Sequence, residues 1–336
     1  MHAAYRIARS GFEAARTLPQ SHDERARRRH GHSFRVQVRA TCAHLGCHDL
    51  GARLASAVAP FDYADLDRLD SRDDAALAAA VAAQIDVPLD LQLSSAPGVG
   101  VLLDGQRVLH TLSTGFEAAH HLPHVPPGHK CGRLHGHGFG VTIVAGDTPD
   151  AIAGAWAVQQ QRLHHRYLND IAGLDNPTSE VLAAWLYHEL AQALPALAWV
   201  EVRETHTAGS QFDGKRFRIW KEQHFESAVP LDDSGRYTGH SYLIRLMLAG
   251  TLDQTMGWLL DFGDVKARFK PVYRQLDHNP LDRLVGVRGS HPQAVAEWVH
   301  AELSPRLPEL ARIDLMENAD SGVSIALHDD VRWPLL

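Results

Sequence analysis

The sequence predicts an α+β fold of three tandem units, each ordered ββ-αα-ββ, with antiparallel sheet and helices on one face of it. The first observation behind this is a glycine-centred echo. It recurs as Arg29 to Phe34, Leu134 to Phe139 and Tyr237 to Tyr242, with Gly31, Gly136 and Gly239 spaced by 105 and 103 residues. The second is an upstream echo in the same order: Gly11 to Ala15, Gly115 to Ala119 and His224 to Ala228. The third is a closing echo, Trp199 to Glu204 against Ile313 to Glu317. The 336 residues divide into units of about 112, read as 1–107, 108–221 and 222–336.

Within each unit the Phe-Glu-Ala-Ala run reads as strand, followed by a polar loop. The Gly-His segment opens a second strand, clearest at Phe34 to Arg39. There Phe34, Val36 and Val38 share one face and Arg35, Gln37 and Arg39 the other, the pattern of a half-buried strand. Val265 to Leu276 puts Val265, Phe269, Val272, Tyr273 and Leu276 on one helical face, with Pro271 a local cost. Asn176 to Glu180 is a helix start before Val181 to Leu194, and its counterpart is Pro292 to Leu303. Leu197 to Thr205 closes a unit as strand.

Composition narrows the function. The 33 Lys+Arg against 40 Asp+Glu leave a net charge of -7, which argues against binding driven by phosphate neutralisation of nucleic acid. No apolar run approaches the ~18–20 residues of a membrane span, and Met1 to Pro19 lacks a signal-peptide apolar region. Three Cys cannot build a disulfide framework, so a reducing, cytoplasmic setting is expected. The 23 His outnumber the 7 Tyr and 10 Phe together, which directs the search to metal sites.

The middle unit holds His120, Cys131, His135 and His137. His135 and His137 alternate on a strand and share a face, while His120 comes from the preceding strand. Three neutral imidazoles suit Zn²⁺ and leave a fourth position open, the mark of a catalytic site. A lone His-x-His is more often a pair of satisfied loop histidines; the added Phe-Glu-Ala-Ala-His and Cys-x-x-x-His reverse that reading.

The run Phe116 to Pro123, then Gly128 to His137, resembles the 6-pyruvoyltetrahydropterin synthase superfamily. Its Cys-x-x-x-His-Gly-His is similar to 6-carboxytetrahydropterin synthase of queuosine biosynthesis. The likeness continues through Arg166 to Asp170, Asn176 to Glu180 and Arg203 to Gly209. It implies the tunnelling fold, in which three units close a twelve-stranded antiparallel barrel with helices outside, here as a pseudo-trimer within one chain. Two rings often stack, so a homodimer of chains is the larger form implied. By the same resemblance His120, His135 and His137 hold zinc, Cys131 is the catalytic thiol and Glu204 anchors the pterin.

Two departures stand in the middle unit. The family's Asp-Phe-x-x-Leu-Lys is missing, with the chain shortened between Asp147 and Leu163. Its Leu-Asp-His dyad is Leu163-His164-His165, leaving His165 without its Asp. The third unit keeps both features as Asp261 to Lys266 and Leu276-Asp277-His278, and keeps a second anchor candidate in Glu317. It has lost the metal positions to Val229 and Thr238, retaining His240, with Ser234 at the thiol position. The first unit has Arg16 with His30 and His32, Ala26 for the thiol, Asp62-Tyr63 for the dyad and Ser95 for the anchor. Its Arg25 to His30 run reads as a solvated loop ahead of a phosphate clamp. Cys42, His44, Cys47 and His48 have no standard zinc spacing.

The resemblance implies a carbon–carbon lyase taking 7,8-dihydroneopterin triphosphate and water to 6-carboxytetrahydropterin, acetaldehyde and triphosphate. The alternatives are the 6-pyruvoyl-forming elimination and a non-catalytic pterin-binding descendant. The expected site is composite: metal and Cys131 from the middle unit, Asp277 and His278 from the third, with His165 as the competing relay.

Overall fold

The computed structural model describes residues 3–19, 21, 24–41, 49–69, 73–105, 107–232, 234–284 and 291–327. Cys42 to His48 lie outside them. The first repeat runs β1 (Ala3–Arg16), β2 (His30–Thr41), α1 (Asp49–Val58), β3 (Ala64–Asp65), α2 (Asp74–Ala83), β4 (Leu89–Ala96) and β5 (Val99–Asp104). The second runs β6 (Arg107–His120), β7 (His135–Ala145), α3 (Pro149–Leu163), β8 (Arg166–Tyr167), α4 (Ser179–Ala191), β9 (Leu197–Thr205) and β10 (Ala208–Phe212). The third runs β11 (Phe217–Pro230), β12 (Tyr237–Gly250), α5 (Phe262–Leu276), β13 (Asn279–Pro280), α6 (Pro292–Leu303), β14 (Leu310–Met316) and β15 (Ser321–Ala326).

The strands close on themselves. The order β10-β9-β7-β6-β5-β4-β2-β1-β15-β14-β12-β11 returns to β10, giving a twelve-stranded barrel within one chain. Every pairing in that ring is antiparallel; the two-residue β3, β8 and β13 pair parallel to β1, β6 and β11 outside it. Closure removes the exposed edges that an isolated repeat would present.

Each repeat packs its helices on the outer face through its own apolar cluster. In the middle one, Trp156 and Leu163 of α3 and Leu182, Leu186 and Leu190 of α4 cover Phe139, Val141 and Ile143 of β7. Across each long hairpin a stacked aromatic pair recurs. Phe12–Phe34, Phe116–Phe139 and Phe225–Tyr242 have ring centroids 4.8, 4.9 and 4.9 Å apart.

Two expectations are corrected. The polar face of β2 does not meet open solvent throughout: Gln37 and Arg39 are 7% and 1% exposed. Barrel closure turns that face into the lumen, where Arg39 pairs with Asp90 at 2.7 Å and Arg312 with Asp314 at 2.6 Å. Such buried charges are tolerated because each has its counter-ion. The middle repeat's shortening is also not in its helix. α3 has 15 residues, as α5 has. What is short is the connection before it, 146–148 against 251–261 in the third repeat.

A left-handed residue recurs after the first helix of every repeat. Tyr63, His165 and His278 have φ of 53°, 58° and 58°, unusual for non-glycine residues. Their N–H groups donate to Glu13, Glu117 and Glu226 carbonyls at 2.6–2.7 Å. This turn fixes the position that the dyad motif marks.

Candidate functional site

The site is built on the β6–β7 hairpin. Its register sets His120 opposite His135 and Ala118 opposite His137, so the three imidazoles gather above the Phe116–Phe139 stack. One nitrogen from each ring lies within 4.8 Å of the others. Each Nδ1 faces a backbone carbonyl: His120 on Pro177 at 3.1 Å, His135 on Arg133 at 2.7 Å and His137 on Gly138 at 3.2 Å. A carbonyl only accepts, so every Nδ1 is the donor and every Nε2 keeps its lone pair. His120 Nε2 and His137 Nε2 consequently face each other at 3.2 Å as two acceptors, a conflict that a shared cation relieves. Burial, and after it the neighbouring imidazoles, holds His120 down at about 4, and burial lowers His137 as well. The donor set therefore fits a divalent metal with imidazole affinity, zinc among them.

Cys131 sits in a short 3-10 turn, Lys130–Gly132, tied back by its carbonyl accepting from Leu122 N at 2.8 Å. Burial pushes its thiol up, as do the Glu204 and Asp261 carboxylates, while Lys130 works the other way. Glu204, at the end of β9, is pushed up to about 7 by burial and by the carboxylate of Glu180, again with Lys130 opposing. Glu180 itself is buried and raised.

The third repeat completes this site through its long connection. Asn176 Nδ2 donates to Met256 O at 2.7 Å, Thr178 Oγ1 to Gly257 O at 2.7 Å, and Leu259 N to Glu180 Oε1 at 3.1 Å. His129 lies 3.8 Å from Asp261 and packs near Trp258. Lys266 of α5 and Lys130 both depress Lys221, after its burial. Lys221 Nζ donates to Thr207 Oγ1 at 2.8 Å. Three lysines from separate stretches thus act on one another, and Lys130 among them also acts on Cys131 and Glu204. Sequence reasoning passed over them: Lys130 adjoins the thiol and Lys266 ends a quoted motif, but nothing in the sequence joins either to Lys221.

The expected partnership of Cys131 with Asp277 and His278 is not what one chain assembles. Asp261, at the N-cap of α5, acts on the Cys131 thiol; the dyad lies beyond the other end of that 15-residue helix, about 24 Å from Asp261 by helical rise. There Asp277 accepts from Glu226 N at 3.0 Å and His278 Nδ1 lies 3.0 Å from Asp277. His165 is nearer the metal cluster, since it and His137 line one cavity of about 550 Å³. Nor is the middle turn unsupported. His164 Nδ1 accepts from Glu117 N at 3.1 Å, as Asp277 does from Glu226, and Glu117 lies 3.4 Å from His165 Nε2.

The outer hairpins keep the register and lose the ligands. In the first, Arg16 stands opposite His30 and Ala14 opposite His32. Arg16 is 2% exposed and donates to Asp74 at 2.6 Å, so a guanidinium supplies the positive charge there. Arg29 pairs with Asp65 at 2.9 Å and Arg27 donates to Ser21 O, consistent with a solvated loop. In the third, Val229 stands opposite Thr238. Glu317 lies by His240 rather than near Cys131, with Oε1 3.7 Å from Nε2.

An antiparallel barrel of three hairpin–helix repeats, with a three-histidine cluster, a thiol and a carboxylate at one seam, has the architecture of the tunnelling fold. The 6-pyruvoyl tetrahydropterin synthase family matches twice, at residues 110–215 and 218–327, and the chain belongs to that family. It is 39% identical over 117 residues to 6-carboxy-5,6,7,8-tetrahydropterin synthase of Synechocystis, covering 30% of this chain and 89% of that protein. It is 24% identical over 101 residues to dihydroneopterin monophosphate aldolase of Pyrococcus furiosus, covering 29% and 85%. Among solved structures, 6-pyruvoyl tetrahydropterin synthase of Caenorhabditis elegans aligns at 21% identity and TM-score 0.29, over 32% of this chain and 92% of that one. The Plasmodium falciparum enzyme aligns at 14% and 0.28, over 33% and 98%. The family match and the 39% identity support an enzyme of the pterin-synthase kind. No helix among the described residues is long and apolar enough to cross a membrane.

Proposed function

We propose that the chain is a zinc-dependent 6-carboxytetrahydropterin synthase with one active centre, in the middle unit, serving queuosine synthesis. The observation that carries this is the convergence of three Nε2 lone pairs on a hairpin whose connecting turn carries Cys131, the thiol on which the Glu204 carboxylate acts. The 39% identity to a 6-carboxytetrahydropterin synthase favours it over the 6-pyruvoyl-forming elimination. The first unit completes the barrel, and the third, which opens with β11 at Phe217 rather than after 221, supplies the seam.

His120, His135 and His137 would hold the zinc, which supplies Lewis acidity to the side-chain oxygens and lowers the thiol's pKa. Glu204 accepts hydrogen bonds from the amino and ring N–H groups of the pterin. Lys130, Lys221 and Lys266 offer ammonium groups to the triphosphate. Cys131, once ionised, takes a proton from the substrate side chain, and a histidine returns it.

Within one chain that histidine is His165. Asp277 and His278 would serve only across a stacked pair of chains. Exposed apolar residues support such a pair: Tyr63 on the left-handed turn, Leu134 beside the metal hairpin, and Leu231 and Tyr237 at the third hairpin's end, 87%, 69%, 56% and 42% exposed. The test is product analysis from 7,8-dihydroneopterin triphosphate. Acetaldehyde with a 6-carboxypterin supports the reading; a 6-pyruvoyl product, an aldolase product or no turnover by zinc-loaded protein rejects it.

A further inference from the structure

We propose that the lumen mouth beside the first hairpin is a binding site for a small oxyanion, held by the guanidinium groups of Arg9 and Arg35 and the amide of Gln37. β1, β2 and β4 line a cavity of about 710 Å³ there, to which the turn between β14 and β15 adds Ala319 and Asp320. Along the inward face of β2, Arg39, Gln37 and Arg35 run from buried to exposed, so the cavity opens at the Arg35 end.

Three equivalent cross-strand pairs face the lumen at this depth, one per hairpin, and they are satisfied differently. Each lies three residues from the stacked aromatic pair: Arg9 opposite Gln37, Ser113 opposite Thr142, and Glu222 opposite Arg245. Ser113 and Thr142 share a hydrogen bond of 3.0 Å between neutral hydroxyls, and Arg245 Nε donates to Glu222 at 2.9 Å. The first hairpin alone sets a cation against a neutral side chain. At the next inward-facing position toward the mouth it adds another cation, Arg35 opposite Gly11. The other two hairpins have Gly115 opposite Gly140 and His224 opposite Leu243 there.

The charges of this cavity do not cancel. Deeper in the barrel Arg39, Arg245 and Arg312 pair with Asp90, Glu222 and Asp314. Among the residues lining the cavity, Arg9 and Arg35 face one carboxylate, the exposed Asp320, which leaves one positive charge over. Burial lowers the Arg9 guanidinium, as Arg245 does after it, with Asp320 foremost among the opposing carboxylates.

Gln37 identifies the sign and kind of the ligand. Arg9 Nε donates to Gln37 Oε1 at 2.8 Å, and Arg9 Nη1 donates to Ala319 O at 3.2 Å. A guanidinium only donates, so this contact fixes which end of the amide is oxygen. The other end, Nε2, is buried without a partner, on a side chain 7% exposed. An unfilled N–H donor beside two guanidinium groups calls for a ligand that accepts hydrogen bonds and carries negative charge. Phosphate and carboxylate oxygens share that chemistry. The site is independent of the pterin-synthase reading.

The experiment titrates the full chain with inorganic phosphate by calorimetry at constant ionic strength, and repeats the titration with acetate. Saturable binding is expected to persist in Lys221→Met protein, which sets aside phosphate held at the lysines of the middle site. Gln37→Glu keeps the acceptor for Arg9 and replaces the unfilled donor by a negative oxygen. It should weaken binding by roughly 10–100-fold, the worth of a charge-assisted hydrogen bond. Arg35→Gln, on an exposed side chain that the fold does not need, should weaken it by a similar factor. Binding of acetate in preference to phosphate, with the same response to both changes, would assign the site to carboxylates within the same class. Binding that disappears in Lys221→Met protein and is untouched by Gln37→Glu and Arg35→Gln would overturn the proposal, as would no saturable binding of either anion.

Discussion

The first and middle hairpins of this barrel share a backbone and differ in what provides positive charge. Both have the same register, the same stacked phenylalanine pair 4.8 or 4.9 Å apart, and a His-Gly-His opening the second strand. In the middle one the ring nitrogens converge in an arrangement that suits a cation. In the first, Arg16 enters the equivalent position, bonded to Asp74. An ion pair inside the chain stands where the middle hairpin offers a metal-binding group. The seam explains which was free to change. The middle site meets the long 251–261 connection, which brings Asp261 and precedes Lys266. By the threefold repeat, the first site faces the short 146–148 connection, which has nothing comparable to reach with.

The largest effects should come from the middle hairpin alone. His120→Ala, His135→Ala or His137→Ala should abolish metal binding and turnover together, while His30→Ala and His32→Ala leave both. Metal analysis should give one zinc per chain in the parent. Two or three tightly held zincs, or equal losses from both hairpins, would break the asymmetry. Cys131→Ala should keep the zinc and lower turnover by roughly 10²–10⁴, the range for a positioned proton-transfer group.

The relay separates one chain from two. Should a stacked pair supply Asp277 and His278, His278→Ala should cut turnover by roughly 10²–10⁴. Mixing Cys131→Ala chains with His278→Ala chains should then restore activity through hybrid pairs. Should His165 act within the chain, His165→Ala carries the loss and mixing restores nothing. Light scattering of the same samples reports whether pairs form.

Arg16→His tests the comparison from the opposite side. It removes the guanidinium and returns a third imidazole to His30 and His32. Zinc per chain should rise from one toward two, because His30 Nδ1 and His32 Nδ1 already donate to carbonyls at 2.7 Å. Without zinc the variant should lose about 3 kcal/mol, the low end for a buried ion pair, since the partly buried Asp74 loses its guanidinium and keeps only the Ser95 hydroxyl. Chemical unfolding with and without metal measures both.

The sequence carried the repeat, the strand alternation and the grouping of the three histidines, because each is a local pattern with a fixed period. Pro292–Leu303 and Leu197–Thr205 are helix and strand to the residue. What it could not carry depends on closure. The alternation at Phe34 to Arg39 is the same whether its polar face meets water or a lumen full of paired charges. Lys130, Lys221 and Lys266 are neighbours only because β10 joins β11 and α5 begins at that seam. The dyad motif was legible as a motif, and its turn recurs three times. Its distance from Cys131 was not, since a helix's direction across a seam leaves no mark in composition or spacing.

The smallest expected effect concerns Glu204, and it is where site and fold oppose each other. Burial and Glu180 raise this carboxyl from 4.5 to about 7. A carboxyl raised by folding ionises more readily in the unfolded chain. Below pH 4.5 both states hold the proton and there is no penalty. Between pH 4.5 and 7 the unfolded state releases it first, so stability falls as pH rises, and above 7 the penalty is complete. The shift corresponds to about 3 kcal/mol. Ser95, at the anchor position of the first unit, bears no such charge. Glu204→Gln should therefore stabilise the zinc-free chain at pH 8, leave it nearly unchanged at pH 4.5, and weaken pterin binding at both. Thermal unfolding at the two pH values reads the first effect and a pterin titration the second. Equal stabilisation at both pH values would show that the site does not hold this carboxyl above its ordinary range.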